Sequence, residues 1–259
     1  IVLTDFAKPQ ILLNNIENPT NKTELALAQA FDIQGGLQLA RGQANPALES
    51  WKKTTDIYAK LNKPARVLVS QTNQAQALQN LGLYRRAITL LETALKLPSN
   101  STNENTLLLK NHLQKISASP ETTIALHTLG DSLRVVGNFS QAEIVLQQSL
   151  TAAKQLNLPD IVTLSQLGLG NTVRAQINQD KPGKNTINSQ AEQTALNYYQ
   201  QAATSDSEKL RVLSQVNQLS LLVDINKIDQ AKSLIPQVKQ KIDTLPPSRS
   251  SIEARLHLA

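Results

Sequence analysis

The chain has 259 residues, and its 26 basic and 20 acidic side chains give a formal charge of +6. It contains no cysteine, which excludes disulfides, cysteine nucleophiles and thiolate metal sites. Aromatic residues make up only 3% of the chain, and there are nine glycines. This composition favours a helical core of Leu, Ile, Val and Ala over an all-β fold rich in tight turns.

Residues 1–21 form an N-terminal segment that no pattern assigns, because Pro9 and Pro19 interrupt its short apolar runs. No stretch of the chain approaches the roughly 20 apolar residues of a membrane span. The chain begins at Ile1 and contains no methionine, so we expect it to be a segment of a longer protein. Its compartment stays open.

An internal repeat dominates residues 22–259, and its clearest copy is ALHTLGDSLRVVGNFSQAEIVLQQSL at 125–150. Gly130 lets two helices approach closely, and Gly137, seven residues later, ends the first of them. Ala142 lies where the helices touch, and Leu146 fills the space between them. This order of residues resembles the tetratricopeptide repeat, a hairpin of two helices.

The same pattern of residues recurs along the chain. Six of the nine glycines fall on its two glycine positions, at 35, 42, 82, 130, 137 and 170. In the last copy Asn226 replaces the second glycine, and Ile228, Ala231 and Ile235 follow in register; asparagine is the usual substitute for glycine in a left-handed cap. Pro236 lies inside a predicted helix and is expected to kink it.

The predicted fold is all-α, an α-solenoid of about five to six such hairpins with insertions. Its units cover 22–62, 65–97, 121–156, 160–204 and 207–243, with an extra helix at 103–117 and a truncated unit that begins at 249. The matching alanines at 47, 87, 142, 195 and 231 lie further apart than the roughly 34 residues of the repeat. Longer helices and insertions, such as the polar stretch 179–190, account for the excess.

Six longer phrases follow one another along the chain: NQAQALQNLGLYRRAI (73–88), TLGDSLRVVGN (128–138), LGLGNTVRAQ (167–176), NYYQQAAT (197–204), QVNQLSLLVD (215–224) and LPPSR (245–249). Taken in this order, they resemble the repeat region of bacterial CHAT proteins. The resemblance implies that the repeats precede a caspase-like peptidase domain with a His–Cys dyad. Since this chain has no cysteine, no catalytic residue is carried over, and the resemblance implies a segment that recruits partners for a peptidase.

Candidate binding residues lie one and four positions after the first glycine, on one side of each first helix. They are Gln76 and Gln79, Asp131 and Arg134, and Asn171 and Arg174, with Asn80 and His127 close by. Two arginines at the same position in adjacent units predict a fork for the carboxylate of an acidic protein or peptide partner. The alternative is an internal ladder, in which Asp131 pairs with Arg134 or Arg174.

Other functions have weaker support in the sequence. The isoelectric point near 9.5 suggests nucleic-acid binding as the alternative function, but the longest basic runs are the pairs Lys52–Lys53 and Arg85–Arg86. The three histidines, at 112, 127 and 257, have no metal-site context, and no nucleophile elbow or P-loop occurs. We therefore predict no catalytic site, no cofactor and no metal.

Overall fold

The structure, a computed structural model, describes residues 21–98, 106–179 and 189–244, and these residues form eleven helices and no strand. The helices are α1 (Asn21–Ala40), α2 (Ala44–Lys60), α3 (Pro64–Asn80), α4 (Tyr84–Ala94), α5 (Thr106–Leu113), α6 (Pro120–Val135), α7 (Phe139–Gln155), α8 (Pro159–Gln179), α9 (Ser189–Ala202), α10 (Glu208–Asp224) and α11 (Ile228–Thr244). The N-terminal segment before Asn21, most of the polar insertion and the truncated unit from 249 lie outside the described residues.

Ten of these helices pair into five consecutive hairpins: α1–α2, α3–α4, α6–α7, α8–α9 and α10–α11. The first helices α3, α6, α8 and α10 contact one another in that order, and each second helix packs on the first helix of the next hairpin. Each hairpin thereby covers the apolar side of its neighbour, which is the packing of an α-solenoid. The predicted fold class is confirmed.

Helix α5 is an addition to this plan, and it packs on α7. Its bounds, Thr106–Leu113, lie within the range 103–117 predicted for an extra helix. Leu109 and Leu113 are buried in the same apolar cluster as Leu91 and Leu126. The extra helix therefore extends the core on the side of the second helices.

Left-handed residues end the helices on a regular plan. Gly42, Gly82 and Gly137 follow first helices with φ of 77°, 73° and 86°, a conformation that glycine adopts without steric cost. Asn226 takes the same place after α10 with φ of 58°, as the sequence predicts. Proline marks the other boundary, since α3, α6 and α8 all begin at one. Pro236 lies within α11, which continues to Thr244.

Close contact between the two helices of a hairpin depends on a small residue in the first helix. A methyl group added at Gly170 would lie 2.7 Å from a ring carbon of Tyr199, and one added at Gly35 would lie 2.7 Å from Trp51. At Gly130 the same addition meets Leu146, as predicted. In the fifth hairpin, Leu219 occupies the position that Gly130 holds in the third. Ile235, which occupies the position of Leu146, is 40% exposed.

Candidate functional site

The predicted binding residues lie on three neighbouring first helices. They are Gln76, Gln79 and Asn80 on α3, His127, Asp131 and Arg134 on α6, and Asn171 and Arg174 on α8. Asn80 is exposed and the other seven are half-buried. We call these eight residues the first-helix face. Because α3, α6 and α8 are neighbours, the face is continuous from the second hairpin to the fourth.

Gln79 connects the second hairpin to the third. Its side-chain Nε2 donates to the Thr128 carbonyl oxygen at 3.1 Å and to Ser132 Oγ at 2.8 Å. Both acceptors belong to α6, so the amide joins two first helices without any charge. We call Gln79, Thr128 and Ser132 the neutral seam. On the same helix, the Gln76 carbonyl accepts a hydrogen bond from Asn80 Nδ2.

Arg134 forms an ion pair within its own helix. Its Nη2 and Nε lie 2.8 and 3.1 Å from Asp131 Oδ1. This is one of the two pairings that the ladder alternative allows for Asp131. The other, between Asp131 and Arg174, does not occur, because Arg174 has a different carboxylate partner.

Arg174 connects the fourth hairpin to the fifth. Its Nε lies 2.7 Å from Asp224 Oδ2, at the end of α10, and both side chains are about three-quarters buried, with exposed fractions of 22% and 27%. We call Arg174 and Asp224 the charged seam. Asp224 was not among the predicted binding residues, although the sequence offers one signal for it: an acidic residue at the end of the following first helix.

Tyr199 brings a polar group from a second helix to the first-helix face. Its ring packs over Gly170, and its hydroxyl donates to Asn171 Oδ1 at 2.7 Å. Burial raises the pKa of Tyr199 well above its ordinary value of 10, although the positive charges of Arg174 and Arg134 oppose that rise. Asn171 is therefore occupied by an intramolecular hydrogen bond, and the phenol stays neutral at physiological pH.

The first hairpin repeats this arrangement with different residues. Trp51, from the second helix, packs over Gly35, and its Nε1 donates to Asp32 Oδ1 at 2.9 Å. Asn73 of α3 donates to the same oxygen at 3.2 Å. Asp32 was not among the predicted binding residues. It lies three residues before Gly35, the position that His127 holds before Gly130, and this equivalence was its signal in the sequence.

His127 is the described side chain with a buried polar atom that lacks a hydrogen-bond partner, namely Nδ1. Burial lowers the pKa of His127, and the nearby Asp131 carboxylate only partly counteracts this effect. The imidazole is thus neutral at physiological pH. Its position beside Asp131 places a titratable group next to the pair that holds Arg134.

The chemistry of the first-helix face is hydrogen bonding and ion pairing. Across 21–98, 106–179 and 189–244, no group of three or more His, Asp or Glu side chains is arranged to hold a metal ion. The aromatic residues of these ranges are all buried or half-buried. Within the same residues, no helix combines the length and the apolar character needed to cross a membrane.

A separate cleft of about 670 Å³ lies between α5 and α7. Its walls are mostly polar, with Lys110 on one side and Glu143 on the other. Both helices lie on the side of the second helices, and the cleft contains none of the predicted binding residues.

Solved structures with this arrangement of helices are proteins with TPR-like repeats and related helical proteins. A kinesin light chain with nearly identical TPR-like repeats, from Podosopora anserina, has a TM-score of 0.58 and 19% identity, over 87% of this chain and 97% of its own. BtubC from P. vanneervenii has a TM-score of 0.65 and 13% identity, over 94% and 90%. Rap protein complexed with competence and sporulation factor has a TM-score of 0.64 and 13% identity, over 96% and 60%. No family model matches the sequence, and no curated protein matches it.

Proposed function

We propose that this chain is a non-catalytic scaffold that binds a protein or peptide along the first-helix face. The proposal rests on a recurrence. On α3, α6 and α8, half-buried polar side chains occupy the same two positions, one and four residues after the first glycine position of the repeat. Contacts between and within the helices, such as Gln79 to Ser132 and Arg174 to Asp224, already hold most of these groups in place. A preorganised surface loses little side-chain entropy when a partner binds.

The fold is compatible with this role. Solenoids of stacked hairpins present an extended surface to which several units contribute. One of the similar structures, the Rap protein, was solved in complex with competence and sporulation factor. That complex concerns a protein with 13% identity, so it supports a fold able to take a partner and says nothing about which one.

An acidic partner is the specific class that we propose, and it must compete with carboxylates of the chain itself. Arg134 is held by Asp131 and Arg174 by Asp224. A carboxylate of the partner would replace Asp131 or Asp224 as the acceptor, which exchanges one charge-assisted hydrogen bond for another. The same arginines then have two states, one paired with carboxylates of this chain and one paired with carboxylates of the partner.

We further propose that the segment serves as the recognition region of a longer CHAT-type protein with a peptidase domain. The proposal rests on the resemblance of the phrases at 73–88, 128–138 and 167–176. Recovery of the full-length gene product tests it directly, since a following domain with a His–Cys dyad is expected. A full-length product without such a domain would remove the peptidase context and leave the scaffold proposal standing.

The binding proposal is tested with an array of extended peptides rich in Asp and Glu and their Asn and Gln counterparts. The double variant Arg134→Ala with Arg174→Ala is expected to lose acidic peptides at least tenfold, since two charged contacts at about 1 kcal/mol or more each disappear. Its control is Arg85→Ala with Arg86→Ala, which removes the same charge from exposed positions of α4 and is expected to bind normally.

Asp224→Asn separates the two states. If a partner carboxylate replaces Asp224, neutralising this residue releases Arg174 and strengthens binding of acidic peptides. Weaker binding in Asp224→Asn, or equal loss in both arginine double variants, would show that the first-helix face is an internal ladder alone.

A further inference from the structure

Asp32 in the first hairpin and His127 in the third occupy equivalent positions, three residues before the reference residue of their first helix. The reference residue is the small residue at the first glycine position of the repeat, at 35, 75, 130 and 170. Asp32 has two side-chain partners, because Trp51 Nε1 and Asn73 Nδ2 donate to its Oδ1 at 2.9 and 3.2 Å. A polar side chain at this position is therefore held by one residue of its own hairpin and one of the next.

The side chains at the same two places cannot hold His127. Leu146 occupies the position of Trp51, sixteen residues after the reference residue, and Gly168 occupies that of Asn73, two residues before the next one. Neither has a polar side-chain atom, and a methyl group added at Gly168 would lie 3.0 Å from Leu146 Cδ2. His127 Nδ1 is accordingly buried without a hydrogen-bond partner among the described residues.

An acceptor for this imidazole lies one turn further along α6. Asp131 follows His127 by four residues, and residues four apart are neighbours on one side of a helix. Arg134 uses one oxygen of Asp131, since its Nη2 and Nε both lie close to Oδ1, at 2.8 and 3.1 Å. The other oxygen, Oδ2, accepts no hydrogen bond from the residues that the structure describes. One side of α6 thus carries an unpartnered nitrogen and an unpartnered carboxylate oxygen.

We propose that protonation of His127 changes the pairing of Asp131 and thereby strengthens the binding of acidic partners to the first-helix face. The imidazolium donates to Asp131 Oδ2, so His127 and Arg134 share one carboxylate. The three side chains then carry a net positive charge, whereas with a neutral imidazole their charges cancel. A carboxylate of the partner consequently competes better for Arg134. This inference rests on the proposed function and adds regulation by pH to the same face.

The charges that act on His127 are those of Asp131 and Arg134, both on its own helix. Four further helices, α3, α4, α7 and α8, pack on α6. Their titratable and charged side chains are Arg66, Tyr84, Arg85, Arg86, Glu92, Glu143, Lys154, Asp160 and Arg174. None of these is among the groups that shift the pKa of His127. The pairing of His127 with Asp131 is therefore a local property of α6.

The pH range of the effect follows from the surroundings of His127. Burial lowers the pKa of His127, the Asp131 carboxylate raises it, and Arg134 lowers it, so the ring takes up its proton below the ordinary value of 6.5. Glutamate side chains of a peptide, with a pKa of about 4.3, remain mostly ionised at pH 5.5. Acidification to that pH changes His127 while leaving the charge of the partner largely intact.

The test compares the affinity of a labelled Glu-rich peptide with that of its Gln counterpart at pH 7.5 and pH 5.5. Wild type is expected to bind the Glu peptide about threefold more tightly at pH 5.5, the effect of one added charge at a partly exposed site. Binding of the Gln peptide should not change. His127→Gln keeps a polar side chain that does not titrate, so its affinity for the Glu peptide should be equal at both pH values. Circular dichroism checks that helix content is the same in every sample.

Asp131→Asn tests whether the effect passes through this carboxylate. Without it Arg134 has no carboxylate of its own helix at either pH, so the variant should bind the Glu peptide more tightly than wild type at pH 7.5 and gain less on acidification. A second readout needs no peptide. In NMR spectra of wild type, the Arg134 Nε resonance should shift with the titration of His127, and in Asp131→Asn this shift should be much smaller. The His127 signal is identified by its loss in His127→Gln.

Three results would overturn this proposal: equal affinity of wild type for the Glu peptide at both pH values, an unchanged pH dependence in His127→Gln, or an Arg134 resonance that does not follow His127. A different result would reject the proposed function itself, namely that no acidic peptide binds wild type at either pH and Asp131→Asn binds none either. The Arg134 resonance would then still show whether His127 and Arg134 share Asp131.

Discussion

The neutral seam and the charged seam both join neighbouring first helices, but they do so with different chemistry. In both, the residue four positions after the reference residue of a first helix reaches the next first helix, through Gln79 in one case and Arg174 in the other. The amide of Gln79 binds a carbonyl and a hydroxyl, and the guanidinium of Arg174 binds the carboxylate of Asp224. The first contact is insensitive to salt and pH, whereas an ion pair responds to both.

This difference indicates which part of the molecule is able to change state. A neutral hydrogen-bonded seam has no charged competitor, so it fixes the second and third hairpins relative to each other. The charged seam lies beside Asn171 and the Tyr199 hydroxyl, and an external carboxylate competes for Arg174. We therefore expect partner binding to be centred on the fourth hairpin.

The largest effect is expected from Gly170→Ala, because this substitution would displace the Tyr199 ring, which lies next to the charged seam. The new methyl group would lie 2.7 Å from the Tyr199 ring, and the hydroxyl of that buried ring is held by Asn171. Overpacking costs about 1–3 kcal/mol, and the better helix propensity of alanine offsets roughly 1 kcal/mol of it. Urea unfolding should show a net loss of up to about 2 kcal/mol.

Gly36→Ala is the control for this substitution, because a methyl group there meets no atom within 4 Å. It lies in a helix and is exposed, so it should gain up to about 1 kcal/mol from helix propensity alone. A loss of equal size in both glycine variants would mean that the helices of the fourth hairpin are not in close contact.

Alkaline pH should reveal the buried phenol beside the charged seam. The pKa of Tyr199 is raised in the folded state, so its neutral form stabilises the fold fully below about pH 10 and this stabilisation falls as pH rises further. Each pH unit above 10 costs about 1.4 kcal/mol per buried phenol until the folded pKa is reached. Tyr199→Phe is expected to flatten the decline in the free energy of unfolding between pH 10 and 11.

An alkaline decline that is the same in Tyr199→Phe and in wild type would show that the phenol is open to solvent.

The salt dependence of the free energy of unfolding should distinguish the charged seam from the neutral seam. Gln79→Ala and Arg174→Ala are each expected to cost about 1 kcal/mol at low ionic strength, the usual value of a hydrogen bond or a partly exposed ion pair. In 1 M NaCl the Debye length falls to about 3 Å, so the cost of Arg174→Ala should shrink while that of Gln79→Ala stays constant. Equal salt dependence in the two variants would contradict the assignment of charge to one seam only.

The smallest effect is expected on the acid side, at His127. Its pKa is lowered by burial, so the neutral ring stabilises the fold above about pH 6.5 and this stabilisation is lost as pH falls through the folded pKa. His127→Gln should therefore reduce the decline in the free energy of unfolding between pH 6.5 and 5.

The backbone plan of this chain was accessible from its sequence, and the pairing of its side chains was not. The ends of first helices were predictable from Gly42, Gly82, Gly137 and Asn226, because few residue types adopt the left-handed conformation that these positions require. The close contact between the two helices of the third hairpin was predictable from Gly130 and Leu146 in the same way, because the space between the helices admits few side chains.

Asp224 shows why the partners of the first-helix face escaped prediction. Which carboxylate reaches Arg174 depends on how far α10 is shifted and rotated relative to α8, and the repeat pattern does not determine that. The hydrogen bond from the Tyr199 hydroxyl to Asn171 spans the insertion at 179–190 and has no periodic signal in the sequence. Long side chains at half-buried positions have several possible partners, whereas a glycine beneath a ring has one.

Cross-linking offers the most direct test of the central claim, that consecutive first helices lie side by side and form one continuous face. The chain has no native cysteine, so Gln79→Cys with Ser132→Cys introduces a single pair of thiols, to be joined directly as a disulfide by mild oxidation. Gln79→Cys with Thr151→Cys is the control, because Thr151 is exposed on the second helix α7. We expect rapid intramolecular cross-linking of the first pair alone, seen as a mobility shift under non-reducing conditions. Equal yields from both pairs would contradict the side-by-side arrangement of α3 and α6.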